Sequence, residues 1–224
     1  MTSFAGDRTS GAGDVALALL AELERWLAVG RSSSAPAFRA SLLAWLRGAQ
    51  ASQPSMALVH QLAARALEIA DTALARGEPA AGLRTALALS CEAERNDLIA
   101  ARQALAKQAA VLVTERGGWI ATLSESGAVR AAILEAHRAG RAPRVLMGEG
   151  RPLFEGRVSA AALGAAGIPV WLVVDAALPL LLSQARMVWL GADAVTDMGV
   201  MNKLGSYAAA LAAREHSVPV YALA

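Results

Sequence analysis

The chain changes its hydrophobic period near Gly117, and that break limits the folds open to it. Over residues 13–110 apolar side chains recur at three- and four-residue intervals. Val15, Leu19, Leu20, Leu23 and Leu27 form one such series, and Leu42, Leu43 and Leu46 another. That spacing places them on one face of a helix. Pro54 suits the first turn of a third helix running through "MALVHQLAARALEIADTALARG", which Gly77-Glu78-Pro79 stops, and a fourth covers about Ala80 to Ala110. "GRSSSAPA" at 30–37 reads as a loop. From Gly117 onward short apolar runs appear instead: "WIATL", "RVLMG", "VWLVV", "MVWLG" and "VPVYAL". Helical stretches lie between them, at 127–139, 159–166, 177–183 and 203–215. Strands alternating with helices of this length imply right-handed crossovers and a parallel sheet, and uninterrupted apolar strands suit a sheet covered on both faces. The expected fold class is α/β: an N-terminal helical bundle, residues 1–112, followed by a Rossmann-like doubly wound parallel sheet, residues 113–224.

Composition narrows the function. The hydrophobic share is 55% and the mean hydropathy +0.40, so a membrane span needs to be tested for. The most apolar stretch, 158–185, is broken by Pro169, Asp175 and Pro179, leaving no run of roughly 18–20 apolar residues. The start, "MTSFAGDRTSGAGD", lacks a basic segment followed by an apolar one, so no signal peptide is expected and the expected location is cytoplasmic. One cysteine, Cys91, lies in an alanine-rich helical pattern and reads as a packing thiol, neither disulfide-forming nor part of a metal centre. A net charge of +2 and 4% aromatics offer neither a basic patch nor a stacking platform, so no nucleic-acid partner is expected.

In open α/β sheets ligands bind beyond the carboxyl ends of the strands. The segments to inspect are Thr122–Gly127, Glu149–Pro152 with Glu155-Gly156, Asp175, and Asp193. In "MVWLGADAVTDMGVMNKLGSY" at 187–207 a buried strand ends in a carboxylate, and an amide and an ammonium, Asn202 and Lys203, lead toward the next helix. Such a set suits a small polar or anionic ligand.

These strand-end residues resemble one superfamily. "GEGRPLFEG", "LGAAGIPVWLVVDAA" and "VWLGADAV" followed by "NKLGSYAAALAAREHSVPVY" are similar, in order and spacing, to ribose-1,5-bisphosphate isomerase, methylthioribose-1-phosphate isomerase and the alpha, beta and delta subunits of initiation factor 2B. The likeness is carried by residues 117–224. It implies a helical domain, a Rossmann-like domain, and a homodimer or hetero-assembly. The isomerases convert a sugar 1-phosphate aldose into its ketose without metal or cofactor, opening a ring that the phosphate keeps closed and moving a proton between C2 and C1. A cysteine after the first strand and an aspartate after the fourth do this work.

Carried over, the resemblance assigns Asp193 to proton exchange at the ring oxygen; otherwise that carboxylate caps its loop. Asn202 and Lys203 match the sugar- and phosphate-binding pair, though their loop looks one residue short; otherwise they cap a helix. Ser124 stands where the isomerases have cysteine, and its hydroxyl lacks a thiol's acid–base range. Glu125 replaces an asparagine, either repelling a phosphate or substituting as a base. Ser126, Gly127 and Ala128 form a helix start able to accept an anion. Ser10, Gly11, Ala12 and Gly13 resemble the phosphate loop, and Gln53 takes the place of a phosphate-binding arginine. Arg151 faces a ligand, or pairs with Asp175 or Glu155. Members of the superfamily continue after the fifth strand with a stretch that completes the sheet, adds a phosphate-site lysine and helps form the dimer, and the resemblance offers no counterpart to it here. Two functions follow. One is a protein that binds a phosphorylated sugar and resembles the aldose–ketose isomerases. The other is a non-catalytic regulatory or assembly subunit that binds sugar phosphate or nucleotide.

Overall fold

The computed structural model describes residues 4–7, 9–29, 34–114 and 118–224; the first part of the loop expected at 30–37 lies outside them. The chain divides into two units, one holding 4–7 and 12–100, the other 9–11 and 101–224.

The helical unit contains α1 (Ala12–Val29), α2 (Ala35–Ser52), α3 (Ala57–Ala75) and the first part of α4 (Ala80–Ala110). The residues read as one face of α1 are buried together with Phe38, Leu42, Leu46, Val59, Leu83 and Leu87. Cys91 packs in the same core, where burial, with Glu24 nearby, pushes its thiol up to about 11. Ser34 caps α2 by accepting from the Ala37 N–H at 3.4 Å. The third helix begins at Ala57 and not at Pro54. Gln53 precedes proline, sits at φ −133°, ψ 62°, and ends α2, because a residue before proline is pushed out of the helical region.

The α/β unit runs β1 (Gly118–Leu123), α5 (Gly127–Arg138), β2 (Pro143–Gly148), α6 (Glu155–Ala165), β3 (Val170–Val173), α7 (Leu178–Leu181), β4 (Ala185–Gly191), β5 (Ala194–Thr196), β6 (Gly199–Met201), α8 (Ser206–Glu215) and β7 (Val220–Leu223). Five strands form one sheet in the order β3-β2-β1-β4-β7, every pair parallel. The expected α/β class and parallel sheet are present. Neighbouring strand residues feed opposite faces. Ile120, Val145, Met147 and Trp189 join one core with Ile133 and Leu163, while Ala121, Leu146, Val188 and Leu190 join another with Leu178. Among the described residues no helix is long and apolar enough to cross a membrane.

Three local departures matter for the site. The chain between β4 and α8, read as a plain loop, holds a two-stranded antiparallel hairpin, β5–β6. Helix α8 starts at Ser206, after Asn202 and Lys203, because Gly205 takes φ 101°, a conformation that a right-handed helix does not contain. Helix α6 starts at Glu155, four residues earlier than its apolar spacing suggests. That start is pressed against the end of β2: a Cβ on Gly156 would lie 2.1 Å from the Gly148 carbonyl oxygen.

Gly156→Ala is therefore expected to lower stability by at least about 2 kcal/mol through forced backbone displacement. Gly164→Ala, in the same helix with open space around its Cβ, is expected to raise it by about 0.5–1 kcal/mol. Paired urea titrations check both.

Candidate functional site

The order of the sheet reverses between β1 and β4: β2 and β3 extend it on one side, β7 on the other. The crevice beyond such a switch point is where doubly wound sheets take ligands. Ser124 follows β1 there and Asp193 follows β4.

The hairpin explains how carboxylate, amide and ammonium meet. Ala194 pairs with Met201, and the Asp193 N–H donates to the Met201 carbonyl at 2.8 Å. The chain thus leaves the sheet, turns, and brings Asn202 and Lys203 back beside Asp193. Burial pushes the Asp193 carboxyl above its ordinary range, and the Lys203 ammonium opposes that shift. Asn202 donates to the Ser206 hydroxyl at 2.9 Å. Its Oδ1 lies 3.8 Å, and the Ser126 Oγ 2.6 Å, from the place a Cβ on Gly191 would occupy.

The end of β1 lies next to the end of β4. Ser124 is buried, holds φ 66°, and its N–H donates to the Gly148 carbonyl at 3.4 Å. Non-glycine residues pay about 1–2 kcal/mol there. Ser126 caps α5 by accepting from the Val129 N–H at 3.3 Å. Gly127 and Ala128 follow, and Gly11 packs on this start: its Cβ would lie 3.4 Å from the Gly127 nitrogen. The Glu125 side chain turns to Arg130 and to the Ser159 hydroxyl.

The loop after β2 completes the site. Glu149 accepts from Arg151 Nε at 3.0 Å and from Arg157 at 2.9 Å. The Arg157 hydrogen bond, helped by Arg151, holds its carboxyl below the usual range against the cost of burial. Both guanidiniums sit over the Phe154 ring, at 4.6 and 4.1 Å. The Arg151 side chain therefore pairs with Glu149, not with Asp175 or Glu155. Asp175 anchors the loop, accepting from the Gly150 and Arg151 N–H groups at 2.8 and 2.7 Å. Glu155 is buried and accepts from the Lys203 ammonium through Oε1.

Of the residues singled out in the sequence, Ser124, Ser126, Gly127, Arg151, Asp193, Asn202 and Lys203 all follow the carboxyl ends of β1, β2 or β4. Ala12 and Gly13 open α1, in the helical unit. Gln53 also lies there, buried, its amide donating to the Phe4 and Asp7 carbonyls at 2.8 and 2.7 Å. Sequence reading missed the hairpin and the position of Glu155. The two three-residue runs around Asp197-Met198 were the only trace of the first, and the "EG" of the motif the only trace of the second.

The sequence model of the Initiation factor 2 subunit family matches residues 8–224. The chain belongs to this family. Within it, methylthioribose-1-phosphate isomerase of Pelotomaculum thermopropionicum is 32% identical over 206 residues, covering 87% of this chain and 56% of that protein. The Cronobacter sakazakii methylthioribose-1-phosphate isomerase is 39% identical over 102 residues, 44% of this chain and 30% of that enzyme. The chain thus spans about half, or less, of the curated relatives it matches. Among solved structures, the Pyrococcus horikoshii translation initiation factor eIF-2B superposes with a TM-score of 0.81 at 26% identity, over 98% of this chain and 74% of that one. The 5-methylthioribose 1-phosphate isomerase of the same organism gives 0.82 at 19% identity, over 98% of this chain and 64% of that one, which speaks for the fold.

The Asp193 shift has a sign that stability can read. A carboxyl raised in the folded state carries no penalty below its unfolded pKa and the full penalty above its folded pKa. Asp193→Asn is expected to melt higher than the native chain at pH 7, the gap closing as pH falls through the carboxylate range. Melting temperatures across pH 3–8 check this.

Proposed function

We propose that the crevice between the ends of β1 and β4 binds a phosphorylated pentose of the kind that aldose–ketose isomerases act on. The observation that carries this reading is the meeting of Asp193, Asn202 and Lys203, brought together by the β5–β6 hairpin and faced by Ser124 and Ser126. Lys203 supplies charge for a phosphate oxygen. Asn202 suits a sugar hydroxyl. Asp193, held protonated more readily than a free carboxyl, suits a ring oxygen that must gain a proton. The two curated relatives named above are methylthioribose-1-phosphate isomerases, which agrees with such a ligand.

A second reading, an assembly subunit like those of initiation factor 2B, is favoured by the surface beside the site. Met198, Leu204 and Tyr207 are 95%, 82% and 78% exposed, an apolar group of the sort that oligomer interfaces cover. It is compatible with sugar-phosphate binding. In that case Leu204→Glu lowers the mass measured by sedimentation.

Millimolar methylthioribose 1-phosphate or ribose 1,5-bisphosphate is expected to raise the melting temperature of the native chain. Lys203→Gln, which keeps an amide to bond Glu155, is expected to weaken binding about 10- to 100-fold in calorimetric titrations, as loss of a charged hydrogen bond does. A native chain that responds to neither sugar, nor to nucleoside monophosphates, contradicts the proposal.

A further inference from the structure

Besides Asp193, four carboxylates border the crevice, and they differ in one respect. Glu149 gives one oxygen to Arg151 and the other to Arg157. Glu125 gives one to Arg130 and the other to Ser159. Asp175 gives one to the Gly150 N–H and the other to that of Arg151. Glu155, at 5% exposure, gives Oε1 to Lys203, but its Oε2 is buried without a hydrogen-bond partner among the described residues. Leaving a buried acceptor unmade is costly, the more so on a charged group. A structure that satisfies three neighbouring carboxylates and leaves one oxygen of the fourth open has kept that oxygen for something else.

The open oxygen faces the end of β1. It lies 3.0 Å from the point a Cβ on Gly150 would occupy, and the Ser124 Cα lies 3.0 Å from that same point. Glycine at position 150, with φ 76°, lets them come this near, since a Cβ there would press on both. Oε2 thus stands beside the position at which the resemblance places an acid–base thiol and where this chain has only a hydroxyl. Glu125, adjacent in sequence to that hydroxyl, has both oxygens engaged.

We propose that Glu155 is the base that moves the carbon-bound proton of a sugar 1-phosphate in this crevice, making the protein an aldose–ketose isomerase that works without a thiol. The proposal rests on the reading that the crevice binds such a sugar. The protonated Asp193 carboxyl gives its proton to the ring oxygen as the C1–O bond breaks, and the electron-poor C1 is supported by the phosphate-ester oxygen. Glu155 Oε2 takes the proton from C2, and the C2–H electron pair becomes the C1–C2 double bond of an enol. Glu155 then returns that proton to C1 while the Asp193 carboxylate takes the proton of the C2 hydroxyl, leaving a ketone at C2. Both carboxyl groups end as they began, and no oxidant or reductant is consumed. Lys203 takes part twice: it orients Glu155 through Oε1, and its ammonium is shared with a bound phosphate.

The test uses the full chain with ribose 1,5-bisphosphate and with methylthioribose 1-phosphate in deuterated water, followed by proton NMR, with affinity measured by calorimetry. The native chain is expected to convert one of the sugars to its ketose. Glu155→Gln is expected to keep its affinity within about threefold and lose at least about 100-fold in rate, the usual contribution of a positioned acid–base group. Glu155→Asp, which draws the carboxylate back by one methylene, is expected to lose about tenfold or more, and it decides the matter if the glutamine variant does not fold. A glutamine or aspartate variant within threefold of the native rate overturns the assignment. A native chain that binds a sugar but never converts it also overturns it, and leaves the binding reading standing. Failure to bind either sugar removes both.

Discussion

The ion pair between Lys203 and Glu155 is the contact on which the crevice depends. It joins the residue after the β5–β6 hairpin to the first residue of α6, elements far apart in the chain, with the carboxylate almost wholly buried. Removing one partner of such a pair strands the other charge and costs about 3–5 kcal/mol, so the pair acts as a clasp. It also sets the electrostatics. Glu125, Glu149, Glu155, Asp175 and Asp193 surround the crevice, and Arg130, Arg151 and Arg157 are spent on Glu125 and Glu149. The ammonium is the cation that both Glu155 and Asp193 feel. A phosphate bound there competes with Glu155 for it.

The clasp works because the sheet places its two ends correctly. Parallel strands deliver all their carboxyl ends to one edge, and the reversal of order between β1 and β4 opens the gap. Glycine then decides how near things come. Gly148, Gly150, Gly156 and Gly191 each leave room that a Cβ would fill with a neighbour closer than, or about, 3 Å away. These contacts let α6 start against β2 and let Ser126 and Asn202 meet over the end of β4.

The sequence made the frame legible and hid the joinery. Apolar spacing reports buried faces directly, so the helices around Leu19 and Leu42 and the strands around Ile120 and Val188 were readable. The β5–β6 hairpin was not, because its strands are three residues long and mostly exposed, so no buried face marks them. The late start of α8 rests on one glycine's φ, which leaves no periodic trace. The family motif pointed to Asp193, Asn202 and Lys203, and to Ser124 as a lost thiol. It gave no sign that Lys203 is held by Glu155, since a pairing between residues 48 positions apart is a property of topology. Nor did it show that Glu125 is consumed by Arg130 and Ser159 while an oxygen of Glu155 stays open.

The central claim is that a small phosphorylated sugar occupies the space between Ser124, Glu155, Asp193 and Lys203. A crystal structure of the chain saturated with ribose 1,5-bisphosphate addresses it most directly. The account predicts a phosphate within hydrogen-bond reach of Lys203 Nζ and the sugar ring between Asp193 and Glu155 Oε2. Density for the sugar elsewhere, with the Lys203–Glu155 pair intact and the crevice closed over it, would contradict the account.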